Sequence, residues 1–242
     1  MTQESPPHVI ALVPAFNESR KIGKVVSKIP RPPVDEIVVI DDGSSDGTPE
    51  EARSKGAHVI AHSKTQGVGA TLRTGIRYAQ EKQADVVVVL AGNDKDNPSE
   101  IDRLLEAIFH EGYDFVQGSR YLNGGKFGKM PGYRILATRY IHPLLFSLIT
   151  QRRITDSTNG FRAFRLTLFE DDRLQIDQRW LDHYELEPYL YYKSIRLGYR
   201  VKEVPVSKIY PSKELGYTKM KPITGWWSIL RPVILLGLGL RK

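Results

Sequence analysis

Residues 37–48 read IVVIDDGSSDGT, an apolar run that passes directly into acidic and turn-forming residues. Consecutive apolar residues without polar alternation are typical of a strand that is buried on both faces. Similar runs occur at residues 9–13 and 86–90, and helical patterns separate the three runs. These patterns predict an α/β fold whose central sheet is largely parallel and is covered by helices on both faces.

Acidic and amide side chains follow each of these three strands at its carboxyl end. Asn17 and Glu18 follow the first strand, Asp41 and Asp42 the second, and Asp94 the third. The carboxyl ends of parallel strands meet at one edge of the sheet, and open α/β sheets bind their ligands there. We therefore expect a ligand site at this edge.

The second half of the chain continues with strand-like and helical segments, at residues 113–118, 135–150, 161–164, 183–196 and 201–206. Residues 210–222 are polar and rich in lysine, which is typical of a loop. No Ser/Gly-rich linker and no repeat interrupts the chain. We therefore predict one domain over residues 1–222, followed by a C-terminal segment, residues 223–242.

The composition is that of an ordinary globular protein. The 242 residues carry 35 Lys+Arg and 28 Asp+Glu, and hydrophobic residues make up 40%. This mixture excludes collagen, a long coiled coil and wholesale disorder. The chain has no cysteine, so disulfides, thiolate metal sites and Cys nucleophiles are excluded and a reducing compartment is favoured. No signal-peptide pattern is found, and no apolar run approaches the ~18 residues of a membrane span.

The formal net charge of +7 is not evenly distributed. Residues 193–242 contain eleven Lys or Arg and two acids, a net +9, which leaves −2 for residues 1–192. Such a surplus indicates a nucleic acid, a phosphorylated substrate or an acidic lipid surface as partner, although a solvated basic face is an alternative. We expect no nucleic-acid partner, because the sequence has neither a recognition-helix signature nor aromatic residues interleaved on a β platform.

The C-terminal segment is apolar with polar ends. Trp226 and Trp227 stand near its start, Arg241 and Lys242 at its end, and residues 231–232 interrupt the aliphatic positions between them. Tryptophan at one end and cations at the other are typical of an interfacial membrane anchor. A helix packed on the domain, or an oligomer contact, would show a similar pattern. We predict the anchor.

Asp94 and Asp96 flank Lys95 directly after the third strand. Two carboxylates that lie two residues apart on a turn can share Mg²⁺ or Mn²⁺, cations that prefer oxygen ligands and leave room for a diphosphate. Such a pair alone is also common on surface loops. Its context decides between the two interpretations.

That context resembles glycosyltransferase family 2, and within it the dolichyl-phosphate mannose synthases, which are polyprenyl-phosphate glycosyltransferases. The matching motifs occur in order at residues 14–18 (PAFNE), 39–48 (VIDDGSSDGT), 67–75 (GVGATLRTG), 118–121 (GSRY), 156–164 (DSTNGFRAF) and 198–205 (GYRVKEVP). The resemblance spans roughly residues 8–221. It implies a GT-A (Rossmann-like) nucleotide-sugar-binding fold and an inverting transfer of a mannose- or glucose-type sugar from GDP-mannose or a UDP-sugar.

The resemblance also implies which residues bind the donor. Those that would line the base pocket or close over the nucleotide are Pro14, Ala15, Glu18, Asp42, Gly67, Gly69 and Arg73. The alternative for Arg73 is an ordinary surface residue of its helix. Lys213 and Lys219 lie where the family has a mobile basic loop that reaches the donor diphosphate.

One departure concerns the metal motif of the family. Aligned on residues 98–100, Gly92 replaces the usual first Asp, and Asp96 stands where Gln is usual. The metal ligands of the family correspond to Asp94 and Asp96, so the resemblance implies that these two residues hold Mg²⁺ or Mn²⁺. Gly92 leaves the identity of the donor open. It also motivates an alternative, a nucleotide-sugar-binding protein that has lost catalysis.

For the acceptor, the resemblance assigns Arg120, Arg134 and Thr138 to the phosphate of a polyprenyl or dolichyl phosphate. Guanidinium groups match phosphate oxygens bidentately, and residues four apart share a helix face. A phosphate is already anionic and needs no general base, whereas the hydroxyl of a glycan or small molecule would need one. Asp156 is the candidate base for that alternative. We predict a metal-dependent transferase that acts on a polyprenyl phosphate and associates peripherally with the cytoplasmic face of a membrane.

Overall fold

The apolar runs of the first half form parallel strands, as the sequence predicts. The structure, a computed structural model, describes residues 6–212 and 224–241. Strands β1 (Val9–Ala15), β2 (Glu36–Asp41), β3 (His58–Ala61) and β4 (Val86–Val89) are mutually parallel. β1 pairs with both β2 and β4, and β2 pairs with β3. β2 and β4 therefore lie on opposite sides of β1. The strand order reverses at this point of the sheet, which opens a crevice at the carboxyl ends of β1 and β4.

The second half adds β5 (Phe115–Ser119), β6 (Lys126–Gly128), β7 (Arg162–Arg165), β8 (Val201–Pro205) and β9 (Ser207–Ile209). The seven-stranded sheet has the order β3-β2-β1-β4-β7-β5-β8, and only β7 runs antiparallel within it. β6 and β9 form a separate parallel pair. The predicted α/β fold with a largely parallel sheet is therefore confirmed.

Helices cover both faces of this sheet. Their bounds are α1 (Ser19–Lys28), α2 (Thr48–Ser54), α3 (Val68–Glu81), α4 (Ile101–Phe109), α5 (Gly132–Leu136), α6 (His142–Thr150), α7 (Leu186–Arg196) and α8 (Thr224–Gly237). The π-helical turn Ala137–Ile141 joins α5 to α6 without a break. Single 3₁₀ turns lie at Pro98–Glu100, Leu166–Glu170 and Arg179–Leu181.

Alternate residues of β1 enter two separate hydrophobic cores, because successive side chains of a strand point to opposite faces. Ala11 and Val13 pack in the core that α1, α2 and α4 cover. Ile10 and Leu12 pack in the core that α3, α6, α7 and α8 cover. Burial on both sides explains why β1 is apolar at consecutive positions.

Three short strands were not predicted from the sequence. β3 lies at the edge of the sheet and is half-exposed, so it lacks a continuous apolar run. β6 and β9 contain three residues each and are partly or fully exposed. Their pairing depends on the second half of the chain folding back over the site, which no local pattern encodes.

The C-terminal helix α8 packs on the domain along one side. Val233 and Leu236 are buried beside α6 and α7, and Pro232 lies inside the helix. Trp227 in α8 and Leu238 directly after it are exposed. Within the described residues, no helix is both long and apolar enough to cross a membrane.

Candidate active site

A cavity of about 780 Å³ opens at the carboxyl ends of β1 and β4, where the acidic strand ends predict a ligand site. Its wall contains the expected residues Pro14, Ala15, Glu18, Asp42, Gly67, Arg120, Arg134 and Thr138. Five other expected residues lie outside the wall, namely Gly69, Arg73, Asp94, Asp96 and Asp156. Lys213 and Lys219 lie outside the described residues.

The loops after β1 and β2 hold each other in place at one end of the cavity. The Asn17 N–H donates to Ser44 Oγ at 2.8 Å, and the Ser45 N–H donates back to Asn17 Oδ1 at 2.9 Å. The Glu18 N–H donates to Thr48 Oγ1 at 2.8 Å, at the start of α2. The first two sequence motifs therefore form one interlocked wall.

Asp42 binds the backbone at the start of the next motif, residues 67–75. Its Oδ1 accepts from the Gln66 N–H at 2.8 Å and its Oδ2 from the Gly67 N–H at 2.9 Å. His62 Nδ1 lies 3.0 Å from the same Oδ1. Asp42 lines the cavity, but both carboxylate oxygens already hold the chain that leads into α3.

The glycines at the start of α3 admit a second segment of backbone. A Cβ on Gly69 would lie 1.9 Å from the carbonyl oxygen of Leu181 and 2.7 Å from that of His183. Gly67 has φ +107°, and a Cβ there would lie 2.4 Å from the Asp182 carbonyl oxygen. These positions need glycine because the loop before α7 packs directly on them.

Arg73 binds that same loop instead of facing the cavity. Its Nη1 donates to the Ile176 carbonyl at 2.7 Å, and its Nη2 pairs with Asp182. Thr71 does line the cavity, and residues two apart on a helix project in different directions. The structure therefore shows Arg73 fastening residues 176–182 to α3.

Asp94 and Asp96 have different partners, and each partner is a lysine. Asp94 has φ +53°, and its Oδ2 lies 2.5 Å from Lys24 Nζ on α1. Asp96 is buried, and its Oδ1 lies 2.5 Å from Lys208 Nζ on β9. No three His, Cys, Asp or Glu side chains cluster as a metal site within the described ranges 6–212 and 224–241.

Gly92 faces a filled space where the family has its first Asp. A Cβ there would lie 2.8 Å from Ile22 Cδ1 and 3.2 Å from Ala15 Cβ. Ile22 is fully buried in the core under α1. A side chain at residue 92 would therefore require Ile22 Cδ1 to move.

Arg120 and Asp156 form a buried, bidentate ion pair beneath the cavity. Arg120 Nε donates to Asp156 Oδ2 at 2.6 Å, and Arg120 Nη2 donates to Oδ1 at 2.7 Å. Although burial lowers the pKa of Arg120, the charge of Asp156 raises it above its ordinary value. Nη1 has only Met130 Sδ at 3.9 Å, a weak acceptor, within the part of the chain described. Asp156 thus fixes the orientation of the Arg120 guanidinium group.

Arg134 and Thr138 enter the cavity from the helical stretch that begins with α5. Arg134 Nη1 donates to Tyr210 Oη at 2.9 Å. Thr138 Oγ1 donates to the Arg134 carbonyl at 2.7 Å and lies 2.6 Å from Tyr121 Oη. Burial raises the pKa of Tyr121 above its ordinary value, so this tyrosine remains a neutral hydrogen-bonding group.

Lys95 and Lys208 also line the cavity, and the sequence patterns did not single them out. Lys95 Nζ lies 4.4 Å from the centre of the Tyr210 ring. Burial and the charges of Lys208 and Arg134 lower the pKa of Lys95 to about 7, against the opposing effect of Glu18 and Asp96. The signal in the sequence that could have identified Lys95 is a lysine between two acids directly after a buried strand.

His142 links the C-terminal helix α8 to the wall of the cavity. His142 Nδ1 lies 2.6 Å from Ser157 Oγ, and Nε2 lies 3.1 Å from the Ile229 carbonyl oxygen. Both Ser157 and Ile229 line the cavity. Burial lowers the pKa of His142 to about 4, so the ring is neutral near pH 7 and donates to the Ile229 carbonyl.

The fold and the cavity define an α/β protein with a strongly cationic ligand site at the strand ends. A family model described as glycosyl transferase family 2 matches residues 10–173. The chain therefore belongs to glycosyltransferase family 2, and it is a glycosyltransferase by that membership.

Several relatives carry names that refer to lipid phosphates. The chain is 30% identical over 237 residues to a dolichyl-phosphate hexose transferase of Haloferax volcanii, covering 97% of this chain and 96% of the relative. It is 28% identical over 218 residues to an undecaprenyl-phosphate mannosyltransferase of Micrococcus luteus, covering 88% and 87%. The resemblance to polyprenyl-phosphate glycosyltransferases is therefore confirmed.

A solved structure confirms the GT-A-like fold. Glucosyl-3-phosphoglycerate synthase from Mycobacterium tuberculosis, in complex with Mn²⁺, UDP and glucosyl-3-phosphoglycerate, superposes with a TM-score of 0.68. The sequence identity is 21%, and the match covers 96% of this chain and 79% of the synthase. A structure of the same synthase contains Mg²⁺ and UDP.

Proposed function

We propose that the chain transfers a mannose- or glucose-type sugar from GDP-mannose or a UDP-sugar to a polyprenyl phosphate. One observation carries this proposal. The helical stretch from α5 to α6 presents Arg134 and Thr138 to the cavity, while Leu144 and Leu148 on the same stretch are exposed. An acceptor with a phosphate head and a long apolar chain matches both sides of this stretch. The names of the relatives support the same substrate class.

In the proposed reaction, an acceptor phosphate oxygen attacks the anomeric carbon of the donor sugar. The new C–O bond forms as the bond to the diphosphate oxygen breaks, the electron pair leaves with the nucleoside diphosphate, and the configuration inverts. Arg134, with the remaining N–H groups of Arg120, orients the acceptor phosphate. No base is needed, because the attacking phosphate oxygen already carries negative charge. Asp156 acts as a positioning residue for Arg120 in this scheme.

The chemistry of Asp94 and Asp96 fits a hard divalent cation, since two carboxylates would leave the other coordination positions to the diphosphate and water. We propose that these two residues hold Mg²⁺ or Mn²⁺. The cation, when bound, would neutralise charge on the departing diphosphate. Lys24 and Lys208 are the ion-pair partners of the two carboxylates, so metal loading would compete with both lysines.

The transfer assay tests this function directly. Purified protein with Mn²⁺ is offered labelled GDP-mannose, UDP-glucose and UDP-N-acetylglucosamine, together with either a short polyprenyl phosphate or sugar hydroxyl acceptors. We expect a lipid-linked product that EDTA abolishes. We expect Arg134→Met to lower kcat/KM by about a hundredfold, because it loses charge-assisted bonds to phosphate. The control is Arg196→Met, an exposed position at the end of α7 and outside the cavity. Transfer to hydroxyl acceptors alone, or no turnover, would contradict the proposal.

We also propose peripheral association with a membrane through an apolar face, defined as the exposed aliphatic and aromatic side chains of the stretch from α5 to α6 together with those of α8. Leu144 and Leu148 on this face are 62% and 65% exposed, and Leu238, directly after α8, is 68% exposed. Residues 126–155 contain six Lys or Arg and no Asp or Glu, which suits an anionic lipid surface. Exposed leucines with flanking cations are typical of interfacial binding.

Flotation with phosphatidylglycerol-containing vesicles tests this face. We expect Leu144→Asp combined with Leu148→Asp to weaken vesicle binding on the order of a hundredfold, since two exposed leucines would each contribute about 1.5 kcal/mol when buried in lipid. The control variant, Ser54→Asp with Gln80→Asp, makes the same charge change at exposed positions of α2 and α3. Equal binding by the two variants would overturn the assignment of this face.

A further inference from the structure

We propose that Lys95 binds the diphosphate of the nucleotide-sugar donor, and so supplies part of the positive charge that stabilises this group. The inference rests on the proposed function, because it takes the donor to be a nucleoside diphosphate sugar. It assigns a role to a lysine within the acidic turn 92–96, where Gly92 has replaced the first acid of the family motif. The ligand chemistry is a phosphate oxyanion, and the donor is its source.

The first argument is charge pairing around the cavity. Five nearby carboxylates are each paired with another cation. These pairs are Glu18 with Lys21, Asp94 with Lys24, Asp96 with Lys208, Asp156 with Arg120 and Glu187 with Arg162. Lys95 Nζ has no carboxylate partner and no hydrogen-bond acceptor among residues 6–212 and 224–241; its contact there is the Tyr210 ring. An ammonium group in this setting is satisfied by an anion that enters the cavity.

The second argument is the arrangement of cations. Lys95, Lys208 and Arg134 line the same cavity, and the centre of the Tyr210 ring lies 4.4 Å from Lys95 Nζ and 5.9 Å from Arg134 Cζ. Asp96 is the acid next to Lys95 in the sequence, and its Oδ1 holds Lys208 Nζ at 2.5 Å. The three cations repel one another, Glu18 and Asp96 oppose this repulsion at Lys95, and an anion bound among the cations would oppose it further. A diphosphate carries enough charge to relieve it.

The third argument is preorganisation of the lysine. The Lys95 carbonyl accepts from the Ile209 N–H at 2.8 Å, and Asp96 forms an isolated bridge with Lys208. The Lys95 N–H donates to Asn93 Oδ1 at 3.3 Å. β9 therefore fixes the backbone of the turn, and the Tyr210 ring fixes the position of the ammonium group. A fixed cation loses little freedom when it binds phosphate, which favours affinity.

The location favours the donor diphosphate over the acceptor phosphate. Lys95 lies on the turn that follows β4, beside Asp94 and Asp96, whereas Arg120 follows β5 and Arg134 belongs to α5. The turn after β4 is also where the proposed metal would meet the diphosphate. Lys95 and the metal would thus act on the same group.

Calorimetric titration of the full chain in excess EDTA tests the inference. The probes are GDP and UDP, the nucleosides guanosine and uridine, and farnesyl phosphate as a short acceptor. For whichever nucleotide binds, we expect Lys95→Met to weaken the diphosphate by about tenfold or more, with little change for its nucleoside or for farnesyl phosphate. Lys95→Arg should retain most of the affinity. Lys82→Met, at an exposed lysine directly after α3 and outside the cavity, is the control.

The outcomes separate the two proposals. If the wild-type protein binds a nucleoside diphosphate and Lys95→Met binds it equally well, the role of Lys95 is wrong and the proposed function stands. A loss confined to farnesyl phosphate overturns the assignment to the donor. If the wild-type protein binds neither nucleotide, even with Mn²⁺, the proposed function and the inference both fall. Thermal melting of each variant identifies any loss that reflects unfolding.

Discussion

Replacing Asp156 with Asn is expected to destabilise the protein by ~3–5 kcal/mol, because it leaves the charge of Arg120 buried without a partner. Arg120 is 4% exposed and Asp156 is 0% exposed, so water cannot replace the lost carboxylate. Asp156 accepts from Arg120 Nε at 2.6 Å and from Nη2 at 2.7 Å, and Asn cannot supply two anionic acceptors. Urea unfolding followed by circular dichroism measures the change.

Two controls make this prediction specific to burial. Glu111→Gln removes the partner of Lys202 in a pair whose side chains are 42% and 33% exposed, and it should cost less than ~1 kcal/mol. Arg120→Met combined with Asp156→Leu removes both charges together and should recover much of the stability. The double variant should nevertheless lose transfer activity, since Arg120 lines the cavity. A cost of Asp156→Asn below 1 kcal/mol would contradict the importance of this pair.

Replacing Gly69 with Ala is expected to cost about 3 kcal/mol, or ~10 °C in Tm, because the added carbon collides with backbone atoms. The new Cβ would lie 1.9 Å from the Leu181 carbonyl oxygen and 2.9 Å from the Asp182 carbonyl carbon. Backbone cannot move away as a side-chain end can, so the loop before α7 must shift. His183 and Tyr184 of that loop line the cavity, and nucleotide binding should weaken as well.

Melting curves with and without nucleoside diphosphate measure both effects, because a ligand that binds the native state raises the Tm. Gly132→Ala is the matched control, since a Cβ there would meet no atom within 4 Å. Gly75→Ala is an intermediate case, because its Cβ would meet side-chain methyl groups of Ile40 and Leu12 at 2.9 Å. A wild-type melting temperature for Gly69→Ala would show that the loop does not pack on α3 as described.

Much of the fold was predictable because its central strands are buried on both faces. Such strands carry apolar residues at consecutive positions, and β1, β2 and β4 follow this rule. The direction of β7 was not predictable in the same way. Its sequence, RAFR, has the same character whether the strand runs parallel or antiparallel, and only the route of the chain after β5 decides.

The candidate site was predictable in its location and partly in its members. Pro14, Ala15 and Gly67 line the cavity because the motifs directly follow strands or begin a helix, and the ends of these elements meet. Gly69 and Arg73 belong to the same motif but serve the packing of the loop before α7. Each residue of a helix is rotated by about 100° from the one before it, so one short segment contains both residues that line the cavity and residues that pack against the loop.

The sequence by itself determined the α/β class of this protein, the order of its motifs and the concentration of acids at the strand ends, because these properties depend on local periodicity. Only the tertiary structure decided the charge partners. Asp94 pairs with Lys24, 70 residues away, and Asp96 with Lys208, 112 residues away. These pairs depend on the left-handed turn at Asp94 and on β9 reaching the turn after β4. As a result of these distant contacts, Lys95 lines the cavity and neither acid does. Lys95 has no carboxylate partner among residues 6–212 and 224–241, where its contact is the Tyr210 ring.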